Sequence, residues 1–173
     1  MSFSLGAVFS IDDARSWIDL LDARGVAFWV DGGWGVDALL GEQTRPHEDL
    51  DLVVEAHHEL VVVDLLRGRG YAEVETPFST WFHSVWRDSG SRMVDLHVIR
   101  IDDQGDGQFG PGDVYPAAGL RGQGSIGGRI VRCITAEVQL GFHLGYDHDE
   151  RDRADVLALC ERFDLSVPPQ YRD

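Results

Sequence analysis

Ile11, Ala14, Trp17, Ile18 and Leu21 fall at the three- and four-residue steps of one helix face, and Gly25 ends the run. Ser10 with Asp13 makes a capping-box pattern just ahead, so the first predicted element is a helix. Val26 to Val30 is a short β-prone run. Gly32-Gly33 breaks it, and Trp34 to Leu40 has helical composition closed by Gly41, which gives strand, glycine turn and short helix. After the polar stretch EQTRPHE, Leu50 to Val54 predicts a strand, and Glu59 to Arg67 predicts a helix ended by Gly68 and Gly70. Tyr71 to Val74, Thr80 to Trp86 and Arg92 to Ile101 alternate as strands, with DSGS at 88–91 turning between the last two.

Asp102 to Gly128 is glycine-rich and nearly aperiodic, and predicts a long loop or short irregular strands that carry binding contacts. Helical spacing returns over Thr135 to Tyr146 and Asp149 to Phe163, and Pro168-Pro169 marks a frayed tail. The expected fold class is α+β: a mixed sheet with helices over 1–130 and a small C-terminal helical lobe over 131–173, or both as one compact unit. Trp17, Trp29 and Trp34 occupy expected core positions. Trp81, Phe82 and Trp86 sit on strands from which one could face a ligand.

Composition narrows the function. A chain of 173 residues with 43% hydrophobic content can bury one sizeable core. Fifteen Lys plus Arg against thirty Asp plus Glu leave a net charge of −15, which disfavours nucleic acid and favours a cationic partner or bound metal ions, unless it serves solubility alone. Cys133 and Cys160 lack the paired spacing of a zinc site or disulfide framework, and no long uncharged apolar run occurs. A soluble, cytoplasmic protein is expected, and its oligomeric state is left open.

Asp49 and Asp51 stand two apart at the start of a strand, so both carboxylates share a face while Leu50, Leu52 and Val54 point into the core. Two carboxylates on one face repel unless a cation lies between them, and Mg²⁺ is the usual solution; the plainer alternative is two exposed acids at a strand edge. The Gly32-Gly33 turn opens a helix whose free N–H groups suit phosphate oxygens, although a glycine pair also merely turns a chain. In MVDLHVI, Asp95 and His97 share a face opposite Val94, Leu96 and Val98. If that strand lies beside the Asp49/Asp51 strand, three acids converge as needed to hold two metals and activate a hydroxyl for attack on phosphorus. Otherwise Asp95 and His97 simply face solvent.

The double glycine, short helix and D-x-D strand resemble the nucleotidyltransferases of the DNA polymerase β-like superfamily. DGGWGVDALLGEQTRPHEDLDL is similar to the lincosamide nucleotidyltransferases and the aminoglycoside 2''-adenylyltransferases, including the fifteen residues between Gly33 and Asp49. VDLHVIRIDDQG and GFHLGYDHDERDRADVLAL are similar to the lincosamide branch, with Arg151 where that branch is expected to carry lysine. The resemblance implies a polymerase β-like core and transfer of AMP from ATP to a hydroxyl of a small cationic antibiotic, with release of pyrophosphate. It implies Mg²⁺, two ions, on Asp49, Asp51 and Asp95; phosphate contacts from Gly32, Gly33, Arg45, His47 and Arg151; Asp95 as the group that takes or orients the hydroxyl proton; and His97, His143 and Tyr146 at the acceptor pocket. A lincosamide acceptor is expected ahead of an aminoglycoside. Rival readings are a D-x-D glycosyltransferase, which predicts a longer chain without the upstream glycine pair, and a catalytically silent, antitoxin-like binding protein on the same fold.

Overall fold

The computed structural model describes residues 8–144 and 149–172. Helix α1 (Ile11–Ala23) starts at the expected cap: the Asp13 N–H donates to the Ser10 hydroxyl at 3.1 Å and the Ser10 N–H donates to the Asp13 carboxylate at 3.0 Å. Strand β1 (Phe28–Asp31) runs directly into α2 (Gly32–Leu40), whose first N–H donates to the Asp31 carboxylate at 2.8 Å and whose end is the left-handed Gly41. Strand β2 (Asp49–Glu55) and helix α3 (Glu59–Gly68) follow, then β3 (Ala72–Val74), β4 (His83–Arg87) and β5 (Met93–Ile101).

The glycine-rich segment takes the second of its two expected forms, short strands joined by turns. It forms β6 (Gly107–Phe109), β7 (Asp113–Tyr115) and β8 (Gly122–Ile126), followed by β9 (Arg129–Cys133). Its lack of alternation has a packing cause: a Cβ at Gly124 would overlap the Ala38 carbonyl, so a bare strand lets α2 lie directly on its backbone. The main path of the sheet is β3-β4-β5-β2-β1-β9-β8, with β6 and β7 extending from β5. Pairing is parallel for β2 with β5 and β1 with β9 and antiparallel elsewhere, the mixed sheet the sequence predicts.

Leu50, Leu52 and Val54 of β2 and Val94, Leu96 and Val98 of β5 form a shared apolar face under Trp17, Ile18, Leu21 and Leu66. Each such side chain, fully buried, contributes about 1.5–3 kcal/mol. This sheet face anchors the register, and the opposite face is left for polar chemistry. Trp17, Trp29 and Trp34 are buried as expected.

The C-terminal helices α4 (Ala136–Phe142) and α5 (Glu150–Phe163) lean on α2 through Val36, Ala136 and Leu159. The expected division at residue 130 falls inside β9, whose residues pair with both β8 and β1. The tail is docked rather than frayed: Pro169–Tyr171 form a short 3₁₀ turn, Tyr171 is buried, and its hydroxyl donates to the His143 carbonyl at 2.8 Å. A buried aromatic ring with a satisfied hydroxyl outweighs the fraying tendency of the two prolines. No described helix is long and apolar enough to cross a membrane.

Candidate active site

Register assembles the site. Asp31 on β1 pairs with Asp51 on β2, and Asp51 pairs with Asp95 on β5, so three carboxylates form a row across adjacent strands. Asp49 stands two residues before Asp51 on the same face. Burial raises the pKa of Asp49, as does the Asp95 charge; Asp51 is pushed well above the usual carboxylate range by burial and by Asp49, Asp95 and Asp31. Among the described residues, neither Asp49 nor Asp51 has a side-chain ion pair. Repelling, half-buried carboxylates without a cation are a donor set that suits a hard divalent ion.

Asp95 behaves differently. Burial again works to raise its pKa, but hydrogen bonds from His83 and His97 and their charges outweigh it and bring it to about 2. His83 Nε2 lies 2.6 Å from Asp95 Oδ1 and His97 Nε2 lies 3.5 Å from the same oxygen. On its far side, His97 Nδ1 lies 2.8 Å from the Tyr115 hydroxyl, which donates to Asp31 Oδ2 at 2.9 Å. With the tyrosine proton committed to Asp31, the His97 Nδ1 carries a proton, and its Nε2 is attracted to Asp95 when the ring is charged. Burial opposes that charge, yet Asp95 and Asp31 raise the His97 pKa above its usual value. His83, Asp95 and His97 also present ligand atoms within 4.8 Å of one another.

These groups open onto a cavity of about 590 Å³. Asp31, Gly32, Asp51, His83 and His97 form its polar wall, and Phe109, Tyr115 and Phe142 its aromatic one; Gln139 and His143 face it from α4 and its C-terminal end. Of the residues expected from the sequence, the structure brings Gly32, Asp51, His97 and His143 to this cavity, whereas Asp49 and Asp95 are not among its lining residues and Asp95 is reached through its contacts with His83 and His97. Gly32 is required twice over, by a φ of +56° and because a Cβ there would overlap the Asp51 carboxylate.

Arg45 and His47 form a second layer. Arg45 grips Asp155 of α5 with Nη2 at 2.8 Å and Nε at 3.3 Å, and its Nη1 lies 3.1 Å from His47 Nδ1. His47 is buried, with Nε2 against the Asp37 carboxylate. A Cβ on Gly33 would come within 2.5 Å of His47 Nδ1 and 2.9 Å of Arg45 Nη2, so the second glycine makes room for this pair. Arg151 is exposed and folds back on Asp149 at the start of α5, outside the lining of the cavity. Tyr146 lies outside the described residues. Trp86 is core, whereas Trp81 is exposed beneath the Arg100 guanidinium at 4.5 Å and Phe82 packs edge-on against Phe109 at 5.0 Å.

Asp31, His83 and Tyr115 are missed by sequence reasoning. Asp31 directly precedes the glycine pair, a position that could have flagged it. His83 and Tyr115 carry no local signal, because only the pairing of β4 with β5 and the return of β7 bring them to Asp95 and His97.

The family profile of the aminoglycoside-2''-adenylyltransferases matches residues 14–159. The chain belongs to that family. A lincosamide resistance protein of Staphylococcus haemolyticus is 34% identical over 147 residues, covering 82% of this chain and 89% of the relative. A 2''-aminoglycoside nucleotidyltransferase of Escherichia coli is 33% identical over 129 residues, covering 72% and 67%. Among solved structures, the lincosamide antibiotic adenylyltransferase LnuA with lincomycin bound superposes with a TM-score of 0.77 at 30% identity, over 88% of this chain and 97% of that one. ANT(2'')-Ia in complex with adenylyl-2''-tobramycin gives 0.72 at 19% identity over 88% of each chain, a likeness of fold. The member described here is thus a nucleotidyltransferase with an α+β fold, and the antibiotic nucleotidyltransferases are its kin.

Proposed function

We propose that the protein transfers AMP from Mg-ATP to a hydroxyl of a lincosamide and releases pyrophosphate. The observation that carries this reading is that Asp49, Asp51 and Asp95 share one sheet face and that Asp51 lines a cavity together with Gly32 and the rings of Phe109, Tyr115 and Phe142. Asp49 and Asp51, with Asp95 beside them, would hold Mg²⁺, two ions in this reading. A metal held by these residues would neutralise triphosphate charge and relieve the repulsion that raises the Asp49 and Asp51 carboxyls.

Beyond the Gly32 N–H, which Asp31 takes, the start of α2 would turn its next N–H groups toward phosphate oxygens beside Asp51. Asp95, at about 2, stays ionised at neutral pH and is always able to accept a hydrogen bond from the acceptor hydroxyl and orient it for in-line attack. Phe109, Tyr115 and Phe142 give the acceptor apolar faces to stack on, and His97 and His143 line the same space. Arg45 and His47 act behind Gly33, holding the helix start rather than reaching far into solvent. Arg151 would need to leave Asp149 to meet a phosphate. The free, buried Cys133 and Cys160 and the need for ATP suit the cytoplasm, and the −15 net charge suits a cationic drug and not nucleic acid.

The lincosamide ranks ahead of the aminoglycoside because the lincosamide resistance protein aligns over more of both chains. An aminoglycoside remains the second reading, favoured by the family profile and by the exposed Asp113 on the cavity lining, which suits an amino sugar. Pyrophosphate release with ATP, Mg²⁺ and lincomycin tests the reaction. Turnover should require drug and metal together and vanish in Asp49→Asn. Near-normal turnover in that variant would remove the carboxylate pair from catalysis.

A further inference from the structure

Both histidines beside Asp95 contact the same oxygen. His83 Nε2 at 2.6 Å and His97 Nε2 at 3.5 Å approach Oδ1, and no other side chain among the described residues forms a hydrogen bond or ion pair with Oδ2. A carboxylate on a strand turns about two side-chain torsions, and in a row with Asp31 and Asp51 electrostatic repulsion would swing it away from the neighbours that raise each other's charge cost. A donor fixed to Oδ1 stops that swing and leaves Oδ2 as the working oxygen.

His83 is built to be such a donor. It lies on β4 in register with His97 of the neighbouring β5, the strand that also carries Asp95, so the sheet itself sets its distance. Phe78 stacks on its ring at 4.9 Å and 28°, and the His97 ring meets it edge-on at 4.5 Å and 85°. The two contacts pin the plane of the imidazole. His97 is less suited, since its Nδ1 is tied to Tyr115 and its Nε2 stands farther from Asp95.

We infer that His83 is the positioning residue that clamps Asp95 Oδ1 and presents Oδ2 to the acceptor hydroxyl and the metal side. The inference rests on the reading of Asp95 as a working carboxylate. Loss of a supporting hydrogen bond of this type costs about 10- to 100-fold in activity, and a displacement of about 1 Å at a reacting group costs a similar factor.

The test compares wild type, Asp95→Asn, His83→Ala and His83→Gln, with turnover, thermal midpoint and calorimetric binding of Mg²⁺ with a non-hydrolysable ATP analogue. His83→Ala should lower kcat by about 10- to 100-fold with ATP KM and analogue affinity changed severalfold at most. Free imidazole should restore part of that rate, and His83→Gln, which keeps an N–H donor at similar reach, should recover to within severalfold of wild type. Full activity in Asp95→Asn would bring down the underlying site reading. An inactive Asp95→Asn beside a fully active His83→Ala would overturn the positioning role alone. A His83→Ala defect that follows a lost thermal midpoint, without imidazole or glutamine rescue, would make His83 merely structural. An affinity for Mg²⁺ with the analogue that collapses in His83→Ala while His83→Gln stays inactive would make it a ligand instead, and so would also overturn the inference.

Discussion

At Asp51 a carboxylate is pressed against a glycine turn and flanked across the sheet by two more acids. No ordinary folding requirement calls for that arrangement, because burial and the neighbouring charges both raise the pKa of Asp51. Asp49 and Asp51 thus titrate above the usual 3.8 in the folded chain. Their stabilising contribution is complete below the unfolded value and is lost as pH rises through the raised folded values. The share of stability that Asp49 and Asp51 contribute in the metal-free protein should therefore weaken as pH climbs from acid toward neutral, while Asp95, held at about 2, contributes in the opposite sense. Asp51→Asn, which cannot ionise, should melt higher than wild type at neutral pH in the presence of a chelator, by about 2–4 °C for each kcal/mol of repulsion removed. Added Mg²⁺ should stabilise wild type and leave the variant unmoved. Thermal melts across pH measure this, and a lower melting point for Asp51→Asn in chelator would contradict the repulsion.

Among the elements, the loop between α2 and β2 and the helix α5 meet in the Arg45–Asp155 pair. Asp155 is buried with only 4% of its side chain exposed, so removing its partner strands a charge. Arg45→Ala should cost on the order of 3 kcal/mol, a fall in melting midpoint of about 6–12 °C. Arg45→Lys should recover part of this, since a lysine keeps the charge and loses the two-pronged grip. An unchanged melting point in Arg45→Ala would return Arg45 to a role in phosphate binding only. This clamp was not legible in the sequence: Arg45 reads as a loop residue and Asp155 as one acid of many on an acidic helix, 110 positions apart. The helices and main strands were legible, because Ser10, Gly25, Gly41 and the alternation in MVDLHVI act locally. The third carboxylate could be named but not placed, since adjacency of β2 and β5 is a property of pairing. His83 and Tyr115 needed that pairing too. Strand β8 could be offered only as an alternative to a loop, without bounds, because glycines that admit α2 erase the alternation by which strands are recognised.

On the scale of the whole molecule, one sheet face carries the main core and the other carries the carboxylate row beside a smaller apolar cluster of Trp29, Val53, Ile99 and Ile134, with α4 and its end lining the cavity and the docked tail bonded to the His143 carbonyl. The helical C-terminal part is thereby tied to the cavity, to whose lining it contributes Gly141, Phe142 and His143. A net charge of −15 suits either drug class, so charge does not choose between them, and the order of the two proposed acceptors rests on the relatives. The central claim is adenylyl transfer to a drug hydroxyl, and mass spectrometry of the drugs tests it most directly. Lincomycin, clindamycin, tobramycin and kanamycin are incubated separately with the protein, ATP and Mg²⁺. Lincomycin or clindamycin should gain the mass of one adenylyl group on a hydroxyl; a product from tobramycin or kanamycin alone would reverse the choice of acceptor, and the absence of any adenylylated drug would contradict the claim itself.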